Sequence, residues 1–302
     1  LASVPEYDRI EIRKSKTINE LFKAPSVIVW KKHLDGDMSE LIWAPEIHYI
    51  DKKWYIYFAA APNKEVTGIT FNHRMYVIEC LDADPLTGTW TEKGQIKTGW
   101  ESFSLDATIL QHKGKLYYIW AQEDRNVNYE SHSNIYIAEM ENPWTLRTKP
   151  VMLTQPLLDW EIKIFWVNEG PAILKKNGKI FLTYSASATD ENYCMGMLVV
   201  NENDDLLDPK SWKKLEKPVF KTSYKNKQYG PGHNSFTVSE DGIKDLLVYH
   251  ARNYTDIEGD PLYDPNRHTR VQVIEWDKDG FPIFGEPVMD TRNVDFDSLR
   301  KK

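Results

Sequence analysis

Apolar and polar positions along this chain trace one pattern four times. The first copy opens on Ala44-Pro45-Glu46, continues through the apolar-rich residues 47–50, turns at Asp51-Lys52 and returns in Trp54-Tyr55-Ile56-Tyr57. The second runs from Leu105-Asp106-Ala107 through Gly114 to Trp120, and the third from Glu169-Gly170-Pro171 through Asn177-Gly178 to Tyr184. The fourth runs from His233-Asn234-Ser235 through Asp241-Gly242 to His250. A polar group, a short apolar strand, a tight turn and an aromatic-rich strand make a β-hairpin. The leading groups stand at 46, 106, 169 and 233, in steps of 60, 63 and 64 residues, and so regular a period marks a repeat architecture.

A further strand, alternating or continuously apolar, follows each hairpin at residues 75–80, 133–138, 196–200 and 269–274. Three of these lead into an Asp-Pro or Asn-Pro turn and a Trp: Asp84-Pro85 with Trp90, Asn142-Pro143 with Trp144, and Asp208-Pro209 with Trp212. A fifth strand of this kind, residues 8–13, stands at the start of the chain with no hairpin ahead of it. No long helix is predicted, and residues 19–22 and 39–42 carry at most short turns. Units of about four strands repeated around an axis give an all-β fold, a five-bladed β-propeller, as a single domain over residues 1–302. The period places the leading group of the first blade roughly 14 to 18 positions before Leu1, so the first inner strands are expected to be missing from this chain.

Composition narrows the partners. Lys plus Arg number 38 against 45 Asp plus Glu, a net charge of −7, which argues against binding a nucleic-acid phosphate backbone. Thirty-eight aromatic residues, 11 Trp, 16 Tyr and 11 Phe, in a chain of mean hydropathy −0.56 suit strand cores and also flat faces that stack on sugar rings. Cys80 and Cys194 each lie in a strand-like run and read as buried free thiols or as one long-range disulfide. No run of about 18 apolar residues occurs, so no membrane-spanning helix is predicted. Leu1 falls inside a structural unit, which leaves secreted and cytoplasmic locations equally open.

The candidate chemistry centres on Glu169, which lies between Phe165-Trp166-Val167-Asn168 and Gly170-Pro171. A carboxyl buried beside aromatic surface gains a raised pKa, as a catalytic acid near neutral pH requires. A lone Glu at such a turn is otherwise a solvated side chain or a partner of a backbone donor. In a propeller, however, Glu46, Asp106, Glu169 and His233 would converge on one funnel, where carboxylates raise one another's pKa. One protonated and one ionised carboxyl divide the work of glycoside hydrolysis, the first protonating the leaving oxygen.

The ordered set Trp43-Ala44-Pro45-Glu46, Ser104-Leu105-Asp106-Ala107-Thr108, Asn168-Glu169-Gly170-Pro171, Gly232-His233-Asn234-Ser235 and Asn266-Arg267-His268-Thr269-Arg270 resembles glycoside hydrolase family 43, above all its α-L-arabinofuranosidases. The likeness covers essentially the whole chain. It implies a five-bladed propeller that hydrolyses glycosides with inversion, with an arabinose-containing oligo- or polysaccharide as partner. Carried over by motif, Glu169 is the general acid and Asp106 the carboxylate that tunes its pKa. His233 matches a channel histidine that supports a water-coordinated ion, often calcium, while the chemistry itself needs no cofactor. Trp43, Phe103 and Trp166 are expected at the sugar site as aromatic surface, Glu46 as a hydrogen-bonding support, and Arg267 or Arg270 as a contact to sugar hydroxyls. Only one of the two arginines is expected to point inward, with Arg267 favoured. The family's general base, an Asp on the first inner strand, is expected upstream of Leu1. β-Xylosidase and endo-arabinanase activities, or a sugar-binding propeller without chemistry, are the alternative readings.

Overall fold

The computed structural model describes residues 2–124 and 132–290. Five antiparallel sheets follow one another along the chain and stand in a ring as the blades of a propeller. The first holds Ala2–Ser3, Arg9–Ile12 and Val27–Lys31. The second holds Glu40–Ile50, Lys53–Ala61, Arg74–Cys80 and Trp90–Gln95. The third begins with Ser104–His112, Lys115–Gln122 and Asn134–Asn142, the fourth with Asn168–Lys176, Lys179–Ala186 and Cys194–Asn201, and the fifth holds Tyr229–Val238, Asp245–Arg252 and His268–Val273.

The strand expected at residues 8–13 is Arg9–Ile12, the middle strand of the first sheet, and it pairs with the two-residue Ala2–Ser3, Ala2 opposite Ile12 and Ser3 opposite Glu11. Residues 39–42, expected to form at most a turn, instead lead into the inner strand of blade two at Glu40, with Leu41 at φ +50°. The expected turn at 19–22 overlaps a single 3-10 turn, Ile18–Glu20.

Face-to-face stacking of the blades explains the hydrophobic pattern. Tyr117 to Ala121, Ile180 to Ala186 and Met75 to Cys80 are buried without a break, because a middle strand has a neighbouring blade on each face. Alternation fades where both faces are dry, and the strands read as apolar runs. Cys80 and Cys194 are both buried and both free thiols. The ring closes between the first and last sheets, where Tyr7 meets Tyr263 edge-on at 6.5 Å and the Ile18 N–H donates to Glu240 Oε1 at 2.9 Å.

The inner strands share one irregularity. Three steps along the inner strand match two along its neighbour from Trp43 to Glu46, from Leu105 to Thr108, from Glu169 to Ala172 and from Gly232 to Ser235. Each is a β-bulge, an extra residue that bends the strand and re-aims side chains. The residue following the first pair has positive φ in all four: Ala44 at +45°, Asp106 at +53°, Gly170 at +54° and His233 at +45°. Structural equivalence therefore joins positions 44, 106, 170 and 233. Glu46 lies two residues beyond the equivalent position and Glu169 one residue before it, a correction to the alignment of leading groups drawn from the sequence.

Candidate active site

The strand that carries Glu169 is fixed from beneath by its neighbour Asn168. Asn168 is fully buried, donates from its side-chain nitrogen to Glu161 Oε1 at 3.2 Å, and accepts from Thr154 Oγ1 at 3.0 Å. Glu161 is itself fully buried and pairs with Lys214 at 2.7 Å, accepts from the Tyr184 hydroxyl at 2.7 Å, and accepts from the N–H groups of Leu157 and Leu158 at 2.9 Å each. A buried carboxylate with this many donors is held tightly, since each unmet bond would carry a desolvation cost. Asn168 and the backbone that follows it inherit that rigidity.

Glu169 Oε1 accepts a hydrogen bond from the Tyr193 hydroxyl at 2.8 Å. The next residue, Gly170, donates its N–H to Asp106 Oδ2 at 3.0 Å. A Cβ on Gly170 would meet the His233 ring at 3.4 Å, and His233 Nδ1 stands 3.8 Å from Asp106 Oδ2. The bulges of blades three, four and five thus meet around the axis through Asp106, Gly170 and His233. Glu46 belongs to an adjoining layer, where it accepts from Thr108 Oγ1 at 2.6 Å and stands 2.9 Å from His48 Nε2.

Burial pushes the Glu169 carboxyl up to about 7, with the charge of Asp106 adding to it and the Tyr193 hydroxyl, His233 and Arg267 opposing. Burial also pushes Asp106 up to about 7, opposed by the Gly170 N–H and by Arg267 and reinforced by Glu46. Two raised carboxyls side by side retain a proton near neutrality. Burial holds His233 below the ordinary imidazole value, and His250, among Arg267, His233, Arg252 and Arg270, well below it.

The charge of Arg267 acts on Asp106, Glu169, His233 and His250 alike, and its guanidinium donates to the Leu262 carbonyl at 3.3 Å. Asp264 organises the loop before it by pairing with Arg252 at 3.3 Å and accepting from the Tyr254 hydroxyl and the Asn266 N–H, both at 2.8 Å. Arg270 is engaged elsewhere, with its guanidinium paired to Asp290 at 3.1 Å and donating to the carbonyls of Ala251 and His268. Trp43 stacks on the His73 ring at 4.0 Å, and Phe103 meets the same ring edge-on at 5.7 Å. His73 is buried, donates to the Leu41 carbonyl at 2.8 Å, and is pushed by burial down to about 4, so it serves as a neutral spacer between the two aromatics. Phe103 also lines a cleft of about 340 Å³ with Phe71, Trp100, Arg74 and Glu123. Trp166 is half-buried, and its carbonyl accepts from the His132 N–H at 2.8 Å.

Among the described residues no group of three His, Cys, Asp or Glu side chains could hold a metal ion. A hard cation takes six to eight oxygens, and His233 offers an imidazole under the influence of Arg267. The donor set does not fit a directly ligated calcium ion. Sequence reasoning missed Tyr193, which lies in the loop between the second and third strands of blade four and reaches the site only through tertiary packing. It also missed Glu161 and Lys214, whose pairing has no local sequence signature.

Comparison with known proteins agrees with this architecture. The family model for glycosyl hydrolases family 43 matches residues 1–282. The chain is 56% identical over 289 residues to an extracellular exo-α-(1→5)-L-arabinofuranosidase of Streptomyces avermitilis, covering 96% of this chain and 59% of that protein. It is 51% identical over 289 residues to α-L-arabinofuranosidase 43 of Humicola insolens, again covering 96% and 59%. The chain therefore spans somewhat over half the length of these curated relatives. It superposes on the crystal structure of an α-L-arabinofuranosidase from Lactobacillus brevis with a TM-score of 0.94 and 61% identity, covering 96% of this chain and 90% of that one.

Proposed function

Because the chain belongs to glycosyl hydrolases family 43, we propose that it is the catalytic propeller of an inverting exo-glycosidase that releases terminal α-L-arabinofuranose from arabinan or arabino-oligosaccharides. The observation that carries the reading is the pairing of Glu169, held protonated toward neutral pH, with Asp106 across the Gly170 N–H. The relatives at 51% identity and above, each named as an arabinofuranosidase, support the choice of sugar.

In this reading Glu169 delivers its proton to the leaving glycosidic oxygen while Asp106 keeps the acid's pKa high and holds the acid's backbone in place. Water attacks the anomeric carbon from the opposite face, activated by a carboxylate of the first inner strand ahead of Leu1, as an inverting mechanism requires. Arg267 takes sugar hydroxyls at the funnel, Trp43, Phe103 and Trp166 supply aromatic surface, and Glu46 supports the layer below through Thr108. A calcium ion near His233 would be carried by its water shell, and no step runs through it.

The test is hydrolysis of an aryl α-L-arabinofuranoside, an aryl β-xyloside and a reduced arabino-oligosaccharide by a form with a complete first blade, beside its Glu169→Gln variant. Arabinose released from the oligosaccharide, reduced about 10²–10⁴-fold by Glu169→Gln, is the expected result. Dominant xyloside cleavage would overturn the sugar assignment, and internal cleavage of a longer arabinan the exo assignment. Oligosaccharide turnover unchanged in Glu169→Gln would remove Glu169 as the acid.

A further inference from the structure

Tyr193 has a place in the site that no repeat accounts for. In the layer of the bulges that contains Glu169, the equivalent residue of blade five is Gly232. A Cβ there would fall 2.5 Å from Tyr193 Cε1 and 2.9 Å from Ser185 Oγ. Blade five thus leaves the slot empty of side chain, and the Tyr193 ring fills it from the blade-four loop. The ring is 1% exposed and lies parallel to the His250 imidazole, with centroids 5.5 Å apart and planes within 13°. An aromatic wedged between a glycine backbone and a stacked imidazole has one rotamer open to it.

The direction of the hydrogen bonds is also fixed. The His233 N–H donates to Ser185 Oγ at 2.8 Å, and a backbone amide can only donate. Ser185 still has its own proton to give, and it acts on the Tyr193 oxygen as a donor does, lowering the phenol's pKa against the larger effect of burial. Tyr193 in turn has only its own proton to offer Glu169 Oε1, at 2.8 Å. Burial pushes the phenol well above its ordinary value, so it keeps that proton throughout the working range.

We propose that Tyr193 is a positioning residue for the general acid: by donating to Oε1 it makes that oxygen an obligate acceptor and leaves the transferable proton of Glu169 on Oε2, the oxygen free to meet the leaving group. The inference rests on the acid role of Glu169. Atoms balance simply, since the Oε2 proton passes to the glycosidic oxygen as the C–O bond breaks, Glu169 becomes a carboxylate, and the Tyr193 hydrogen bond then stabilises the charge. Tyr193 itself transfers nothing.

The experiment compares Tyr193→Phe, Glu169→Gln and the unaltered protein, each with a complete first blade, on an arabino-oligosaccharide and on a 2,4-dinitrophenyl arabinofuranoside whose leaving group needs no protonation. Tyr193→Phe is expected to lower kcat on the oligosaccharide about tenfold, to leave the dinitrophenyl substrate nearly unchanged, and to move the alkaline limb of the kcat profile up by about one pH unit, because a stabiliser of the ionised acid is gone. Equal losses on both substrates, or an unmoved limb, would overturn the proposal while leaving Glu169 as the acid. Oligosaccharide turnover unaffected in Glu169→Gln would instead overturn the acid reading beneath it. Fluorotyrosine at position 193, a stronger donor of nearly the same shape, tests the idea without deleting a group. The limb is then expected to move to lower pH, and no movement would count against Tyr193.

Discussion

Gly170 and Asp106 are joined by a 3.0 Å hydrogen bond from the backbone of one to the carboxylate of the other, so the residue after the candidate acid is clasped by the carboxylate proposed to tune it. Position and electrostatics are therefore set by one contact. Replacing Asp106 with Asn keeps the shape, removes the charge that raises Glu169, and weakens the acceptor for Gly170. The expected outcome in the complete enzyme is a loss of kcat of about a hundredfold and an alkaline limb displaced to lower pH. A pH profile of kcat checks the direction, which is opposite to that expected for Tyr193→Phe.

The raised carboxyls also have a sign in stability. A carboxyl at about 7 in the folded protein, against an ordinary value of 4.5 for Glu169 or 3.8 for Asp106, binds its proton more tightly folded than unfolded. Its contribution is fully present below the unfolded pKa and is lost as pH rises through the folded one. Glu169→Gln should then be neutral near pH 4 and stabilising near pH 8, by on the order of 2 kcal/mol. Urea denaturation of both forms at the two pH values measures it.

Glu161 has no contact with substrate in this reading, yet it anchors Asn168. Glu161→Ala leaves the Lys214 ammonium with only the Gln155 carbonyl in place of its charge partner and strands two backbone N–H groups, which should cost about 3–5 kcal/mol. Thermal unfolding measures that loss. Activity per folded molecule should fall as well, because the strand below Glu169 loses its anchor.

Arg267 and Arg270 are three residues apart and should respond differently. Arg267→Ala is expected to raise KM about tenfold with the melting temperature nearly unchanged, as the loss of a sugar contact would do. Arg270→Ala removes the Asp290 pair and two bonds to backbone carbonyls, so it should lower stability by about 1–3 kcal/mol and leave KM in place. Steady-state kinetics beside a melting curve separate the two.

Chelation should leave kcat unchanged, because the reaction proposed here runs on side chains alone. If a calcium ion binds near His233 through its waters, added calcium raises the melting temperature according to its occupancy. Calorimetric titration of metal-free protein with calcium measures that binding directly.

The strand pattern was legible because a blade's middle strands are dry on both faces, and runs such as Ile180 to Ala186 have little other use. The period was legible as well, to within a residue or two. What the sequence hid was the bulge. Ala44, Asp106 and His233 adopt positive φ without being glycine, and nothing local in an Ala-Pro, Asp-Ala or His-Asn pair announces it. The alignment therefore followed chemical character, grouping Glu46 with Asp106 and Glu169, where the backbone groups Asp106 with Ala44, Gly170 and His233. Tyr193 lay beyond reach for a different reason, since its role depends on the absent side chain of Gly232, a residue 39 positions away in another blade.

The four bulges have a consequence for how such a ring carries its chemistry. One backbone conformation, repeated around the axis, presents a methyl, a carboxylate, a bare Cα and an imidazole at matching stations. Each blade carries its own group on the same turn of backbone, and three of the groups meet across the axis, Asp106 with the Gly170 N–H and with His233. A ring built this way gathers different chemistry at one depth while repeating a single strand geometry.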